Sequence, residues 1–229
     1  MFWNTPLSVR HADLLIDRLD VRPGLRVADL GCGWGELLLR VVSRAAGQVS
    51  GIGVDNDAAA LDRGRVLARE RGLDGQVEFA EADAAAWQGT ADRVMCIGTS
   101  HAYGGTEEAL KGLARVVPGG GRLLFGDGCW TAAPTPAATE IFGDEILPLP
   151  DLLEACRAQG WRVIHMSTAD QREWDDFEFT YRAGRQEWLL THGDDPRAGQ
   201  IREWLDGSER EYIQTYRGIL GMAYLILAH

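Results

Sequence analysis

Apolar positions along the chain alternate between two spacings. Gly24 to Leu30, Val49 to Val54, Gln76 to Ala80, Asp92 to Ile97, Arg122 to Phe125 and Trp161 to Met166 are short, mainly aliphatic runs set off by Gly, Pro or Asp, which predicts six strands. Helical spacing fills the gaps. Ala12, Leu15, Ile16 and Leu19 form one stripe behind Ser8 as N-cap, and Glu36 to Ala46 makes a helix ending at Gly47. Ala60, Leu61, Gly64, Leu67 and Ala68 stripe a helix that stops at Gly72, and Leu110, Leu113, Ala114 and Val117 follow Thr106, read as an N-cap. Leu152, Leu153 and Cys156 belong to a helix ending at Gly160. Strands alternating with helices predict a mostly parallel α/β sheet covered on both faces, with right-handed crossovers. Gly126 to Trp130 reads as a loop off the fifth strand, and a Thr-, Ala- and Pro-rich loop runs on to Pro150.

The C-terminal third departs from this alternation. Between the sixth strand and a last one near Leu220 to Ala228, Trp174, Phe177 and Tyr181 stripe one helix, and Ser208-x-x-Glu211 reads as a capping box opening another. Ten of the nineteen aromatic residues lie after Gly160, more than a peripheral helical pair needs for its own packing. Residues 169–217 are therefore expected to be a helical cap over the ligand edge of the sheet, with sealing of the insertion onto the core as the alternative. Phe2 to Pro6 is too aromatic for a random tail and is expected either over the ligand cleft or packed on the body.

Composition narrows the class. A chain of 229 residues is long enough for one domain with a full core, 1–229. The net charge of −11, without a Lys/Arg cluster, disfavours a nucleic-acid partner. Cys32, Cys96, Cys129 and Cys156 show neither paired nor metal-ligand spacing, so no metal is expected and the thiols fit a reducing compartment. Ile219 to Ala228, the longest apolar stretch, is too short to span a bilayer as a helix, and the reading is a cytoplasmic protein without a membrane partner.

The chemistry concentrates at Val27-Ala28-Asp29-Leu30-Gly31-Cys32-Gly33-Trp34-Gly35-Glu36, a strand, a glycine turn and a helix start. Glycines at alternate positions let the backbone come close to a ligand, over which the helix aims its unpaired N–H groups. The dinucleotide fingerprint needs a different glycine spacing, and acids on both sides of the turn are a poor host for pyrophosphate and a good one for an ammonium group. Asp55 closes the second strand 24 residues after Gly31, where nucleotide-binding α/β units place a ribose-binding carboxylate; a helix N-cap is the alternative. Asp83 follows the third strand, and the Gly98-to-Gly105 loop leaves the fourth at the same ligand edge.

In this order these elements resemble class I S-adenosylmethionine (SAM) methyltransferases: Asp29 to Gly35 as motif I, then Asp55, Asp83 and the Pro118-Gly119-Gly120 step before the fifth strand. The resemblance covers about residues 8–127 by motif. Asn4-x-Pro6-Leu7-Ser8, Ser100-His101, Asp127-x-x-Trp130 and Ala169-Asp170-Gln171-x-x-Trp174 look like a bacterial branch of unassigned substrate. It implies a Rossmann-like sheet of order 3-2-1-4-5-7-6 with the last strand antiparallel. It implies SAM as cofactor, S-adenosylhomocysteine (SAH) as product, and cofactor contacts from Asp29, Gly31, Cys32, Gly33, Gly35, Asp55, Asn56, Asp83, Ala84 and Gly98. The expected acceptor is a small molecule touched by Tyr103, Asp127, Trp130, Trp174 and Tyr181. Trp34, Tyr103 and Trp130 are candidates to face the sulfonium. His101 is the candidate base, against the plainer role of bonding its own loop. A non-catalytic SAM-binding regulator and a protein methyltransferase are the alternatives; a nicotinamide-dependent dehydrogenase lacks the third glycine and a Tyr-x-x-x-Lys pair.

Overall fold

The computed structural model describes residues 3–45, 48–143 and 145–229. All the apolar runs read as strands join one seven-stranded sheet of order β3-β2-β1-β4-β5-β7-β6. β1 (Arg26–Leu30), β2 (Ser50–Asp55), β3 (Val77–Glu81), β4 (Arg93–Ile97) and β5 (Arg122–Trp130) run parallel. β7 (Leu220–Ala228) is antiparallel to β5 and to the edge strand β6 (Arg162–Thr168). The helices are α1 (Val9–Leu19), α2 (Glu36–Arg44), α3 (Ala58–Glu70), α4 (Thr106–Leu113), α5 (Pro136–Phe142), α6 (Leu149–Ala158), α7 (Gln171–Thr191) and α8 (Ala198–Glu211).

Period-two alternation sends neighbouring strand residues to opposite cores. Phe125 and Leu225 join Leu110, Leu113, Leu152 and Trp161 on one face. Leu124, Tyr224 and Ile226 join Leu15, Leu38 and Met95 on the other. Both faces being covered, β7 is buried almost end to end, which explains its unbroken apolar run.

Local signals misled at four places. Gly126 to Trp130 is not a loop but the second half of β5, because β7 supplies a ladder from Leu123↔Leu227 to Trp130↔Leu220 that outweighs the breaker residues. Thr106 does not cap α4. Gly105 takes that position with φ +121°, and the Thr106 hydroxyl donates instead to Asp127 Oδ2 at 2.7 Å. The run to Pro150 contains α5, capped by Thr135 with Pro136 in its first turn. Ser208 opens no helix: it lies inside α8, which passes into a π-helical turn at Tyr212–Tyr216, and its hydroxyl accepts from Arg182 Nη1 at 3.1 Å. The capping box is at α7, where Asp170 and Glu173 each accept the other's backbone N–H. Of the second helix, Ala46 and Gly47 lie outside the described residues, as does Phe2.

The insertion closes onto the sheet through its own rings. Tyr212 and Tyr216 bury against Trp130, Ala138 and Leu220, with Phe142, Ile146 and Trp174 at the margin.

Candidate active site

The turn from β1 into α2 is tied to the neighbouring strand, since Val54 O accepts N–H from both Gly31 (2.8 Å) and Cys32 (3.1 Å). Gly31 has φ +77°, and a Cβ there would stand 2.1 Å from Thr99 Oγ1, so the glycine admits the β4 loop. At Gly33, φ is +54° and no atom of the described residues lies within 4 Å of a Cβ position, which leaves the backbone open to a ligand.

Above this turn lies a cleft of about 380 Å³, within the size range of small-molecule sites. Asp29, Gly31, Cys32, Gly33 and Trp34 line it with Glu36 and Leu37; Asp55, Asn56, Asp57, Ala60, Asp83 and Ala84 form a second side. Ile97, Gly98, Thr99, His101 and Ala102 come from the β4 loop, and Trp3, Asn4, Thr5 and Leu7 come from an N-terminal strap. The strap expectation thus holds for Trp3 to Thr5.

The lining is acidic, and no described residue in it is Lys or Arg. Burial, reinforced by the charge of Asp55, raises the Asp29 carboxyl to about 7. Asp55 Oδ2 accepts the Gly33 N–H at 2.7 Å and Oδ1 that of Asp57 at 2.9 Å, so this carboxylate shapes the loop that it faces. Asp83 Oδ1 accepts from Ala85 N at 2.9 Å, capping a 3-10 turn at Ala84–Ala86 while remaining on the cleft wall. Burial pushes the Cys32 thiol upward, so it packs as a neutral group. Arg63 stacks 4.3 Å over the Trp34 ring, leaving that aromatic less free to meet a cation. Glu36 is neutralised by the Arg71 guanidinium, at 2.7 Å and 3.1 Å.

Six expected site residues lie outside this lining. Gly35 is needed for packing, because a Cβ there would meet Phe79 at 2.4 Å. The Tyr103 hydroxyl donates to Ala84 O at 3.1 Å and its ring packs beside Gly112. Asp127 is buried and accepts from Ser100 Oγ (2.8 Å) and Thr106 Oγ1 (2.7 Å), which fixes the loop that carries His101. Desolvation raises its pKa, against these bonds and the His101 charge. Trp130 is buried edge-on to Phe142. Trp174 packs on the core cluster that contains Trp3 and Leu7, and its buried Nε1 has no hydrogen-bond partner among the described residues. Tyr181 is half exposed beside Trp204, under Arg185.

Leu7, Leu37, Asp57, Ala60, Ile97, Thr99 and Ala102 line the cleft without having been singled out as site residues, while Glu36 had been noted only as the acid beyond the turn. Thr99 and Ala102 were legible as members of the ligand-edge loop, Ile97 as the end of the strand that feeds it and Leu7 as part of the N-terminal motif; for the others only closeness in sequence to Asp55 or to the turn was a signal.

A sheet of this order, with an acidic, glycine-floored cleft at its ligand edge, defines a class I SAM methyltransferase, and the lining fits SAM because carboxylates and open backbone suit a cationic nucleoside. Comparison agrees. Residues 27–121 match a family described as a methyltransferase domain. The uncharacterized protein YjhP of Escherichia coli (strain K12) is 30% identical over 216 residues, covering 91% of this chain and 86% of that protein. Its X-ray structure gives a TM-score of 0.86 at 28% identity over 99% of this chain and 94% of that one. A SAM-dependent methyltransferase from Geobacter sulfurreducens, crystallised with SAH, gives 0.87 at 28% identity over 98% and 92% of the two chains. The 27-O-demethylrifamycin SV methyltransferase of Amycolatopsis mediterranei (strain S699) is 29% identical over 142 residues, 61% of this chain and 51% of that protein. The chain belongs to the SAM-dependent methyltransferases.

Proposed function

We propose that the protein methylates a small organic acceptor seated between the N-terminal strap and the His101 loop. One observation carries this reading: a single cleft gathers the carboxylates suited to the donor, an apolar strap and an exposed imidazole. Bound SAM supplies a methyl group already activated on a sulfonium sulfur. The protein's share is to position the reactants and exclude water. Asp55 is assigned to the ribose hydroxyls, Asp83 to the adenine amino group, and Asp29 to the positive charge of the donor. Trp3 and Leu7 cover the apolar side of the cleft, and His101 takes a proton from the acceptor where one must leave.

The small acceptor is supported by the rifamycin methyltransferase, whose name specifies a small-molecule substrate. Among the described residues no helix is long and apolar enough to cross a membrane, and the free cysteines, three of them buried, favour the cytoplasm as the site of action. Residues 169–217 act as a cap within one domain. Their support for the strap, rather than direct contact with the cleft, is the role that the packing of Trp174 favours. The test is incubation with radiolabelled SAM against a metabolite panel and, in parallel, against protein extract. Label in a low-molecular-weight product supports the proposal, label confined to protein overturns it, and SAH binding without turnover of any acceptor supports a regulator instead.

A further inference from the structure

The N-terminal Pro6-Leu7-Ser8 motif and the Asp170-to-Trp174 motif meet in the structure, 165 residues apart in the chain. Their meeting point is Glu173, which is buried. Oε1 accepts the Ser8 N–H at 2.8 Å, Oε2 accepts the Asp170 N–H at 2.9 Å, and His11 Nδ1 lies 3.0 Å from both oxygens. Closing the capping box of α7 requires only the Asp170 bond. The other contacts reach across to the root of the strap, and caps of this kind do not otherwise need burial. The strap is also held within itself and on the sheet: the Tyr224 hydroxyl donates to Pro6 O at 2.9 Å and lies 3.1 Å from Thr5 Oγ1, and Trp3 and Leu7 bury in the core. The Trp3 indole donates to Leu7 O, folding the strap on itself.

His11 Nε2 stands 2.6 Å from Ser167 Oγ, so Ser167, His11 and Glu173 share the bond pattern of a nucleophile, base and acid. Ser167 lies on the edge strand β6 outside the cleft, and the carboxylate oxygens are already committed to backbone amides, so the arrangement reads as a clasp.

We propose that Glu173 is a positioning residue for the methyl-donor site, acting through the strap: it holds Trp3, Asn4, Thr5 and Leu7 against the cleft and couples donor enclosure to the helical insertion. The proposal rests on the assignment of the cleft to the donor. Losing the carboxylate charge frees the strap root without changing the identity of any residue that lines the cleft, and a strap that no longer stays closed weakens ligand retention.

The experiment uses SAH as probe with the full chain, Glu173→Gln, a chain truncated to begin just before Ser8, and the two changes combined. Calorimetry of SAH is expected to show affinity about tenfold lower for Glu173→Gln. Hydrogen exchange at the amides of Asn4, Thr5, Leu7 and Ser8 is expected to rise, and the combined variant to bind no worse than the truncation alone. Unchanged affinity in Glu173→Gln overturns the proposal, as does an equal further loss when the change is made in the truncated chain, since that locates the effect in α7 rather than in the strap. Should Glu173→Gln fail to fold, His11→Ala replaces it: faster exchange at the same amides supports the clasp and unchanged exchange overturns it. A full chain that does not bind SAH overturns the donor assignment and this proposal together, whereas normal binding that survives Glu173→Gln overturns this proposal alone.

Discussion

Among single residues, the proposed assignment of Asp29 to the donor predicts that binding depends on pH. Its carboxyl is raised to about 7 by burial and the neighbouring Asp55, so below that pH the free protein holds a proton there. A cationic ligand favours the ionised form. Binding below neutrality must therefore release this proton, and affinity should rise with pH up to about 7 and then level off. The sign for folding is opposite: a carboxyl whose pKa is higher folded than unfolded costs stability as pH rises from the unfolded value toward 7. Calorimetry of SAH from about pH 5 to 8 in buffers of different ionisation enthalpy should detect the released proton, and Asp29→Asn should abolish it. Asp55→Ala should lower SAH affinity about 10- to 100-fold, the value of a charge-assisted contact of about 1.5 to 3 kcal/mol. Because Asp55 also holds the Gly33 and Asp57 amides, the measurement needs a melting control, and unchanged affinity in a folded variant would remove the ribose assignment. His101→Ala should lower turnover about 100-fold and flatten the acidic limb of the pH–rate profile, with SAH binding preserved. A change confined to KM would make His101 a binding residue.

The elements divide into those that build the cleft and those that brace it. Within the insertion, Arg182 is buried against Glu178 Oε2 at 3.0 Å, and the Tyr216 hydroxyl donates to Glu178 Oε1 at 2.8 Å. Removing one partner of such a pair strands a charge, at a cost of about 3 to 5 kcal/mol, or roughly 6–20 °C in Tm. Trp174, by contrast, touches both the aromatic cluster of the insertion and the core cluster that holds Trp3 and Leu7. Arg182→Ala should therefore lower Tm while leaving SAH affinity near that of the unchanged protein, and Trp174→Ala should lower both. Equal effects of the two variants on SAH binding would remove the distinction between a bracing insertion and one that governs the strap.

For the whole molecule, the sheet was legible because strand and helix periods, glycine turns and strand-end acids are local properties of the chain. Asp29, Gly31, Gly33, Asp55, Asp83, Gly98 and His101 could be placed at one edge because connectivity in an α/β sheet fixes which ends of the strands share it. Errors clustered where a distant partner reversed a local preference. Gly126 to Trp130 carries breaker residues, yet β7 draws it into the ladder, and Thr106 looks like a cap until Asp127 claims its hydroxyl. Tyr103 and Trp130 have the chemistry of ligand contacts but pack outside the cleft lining, because aromatic side chains bury against whatever surface folding brings near, and no spacing rule says which surface that is. Periodicity along the chain was enough for the fold class, and the short motifs, through the family they resemble, were enough for the cofactor and for the acids that line the cleft. That the strap lines the cleft and that Glu173 joins it to α7 followed from the folded packing alone, because a contact across 165 residues is selected by the packing of the whole core and leaves no periodic trace in either segment.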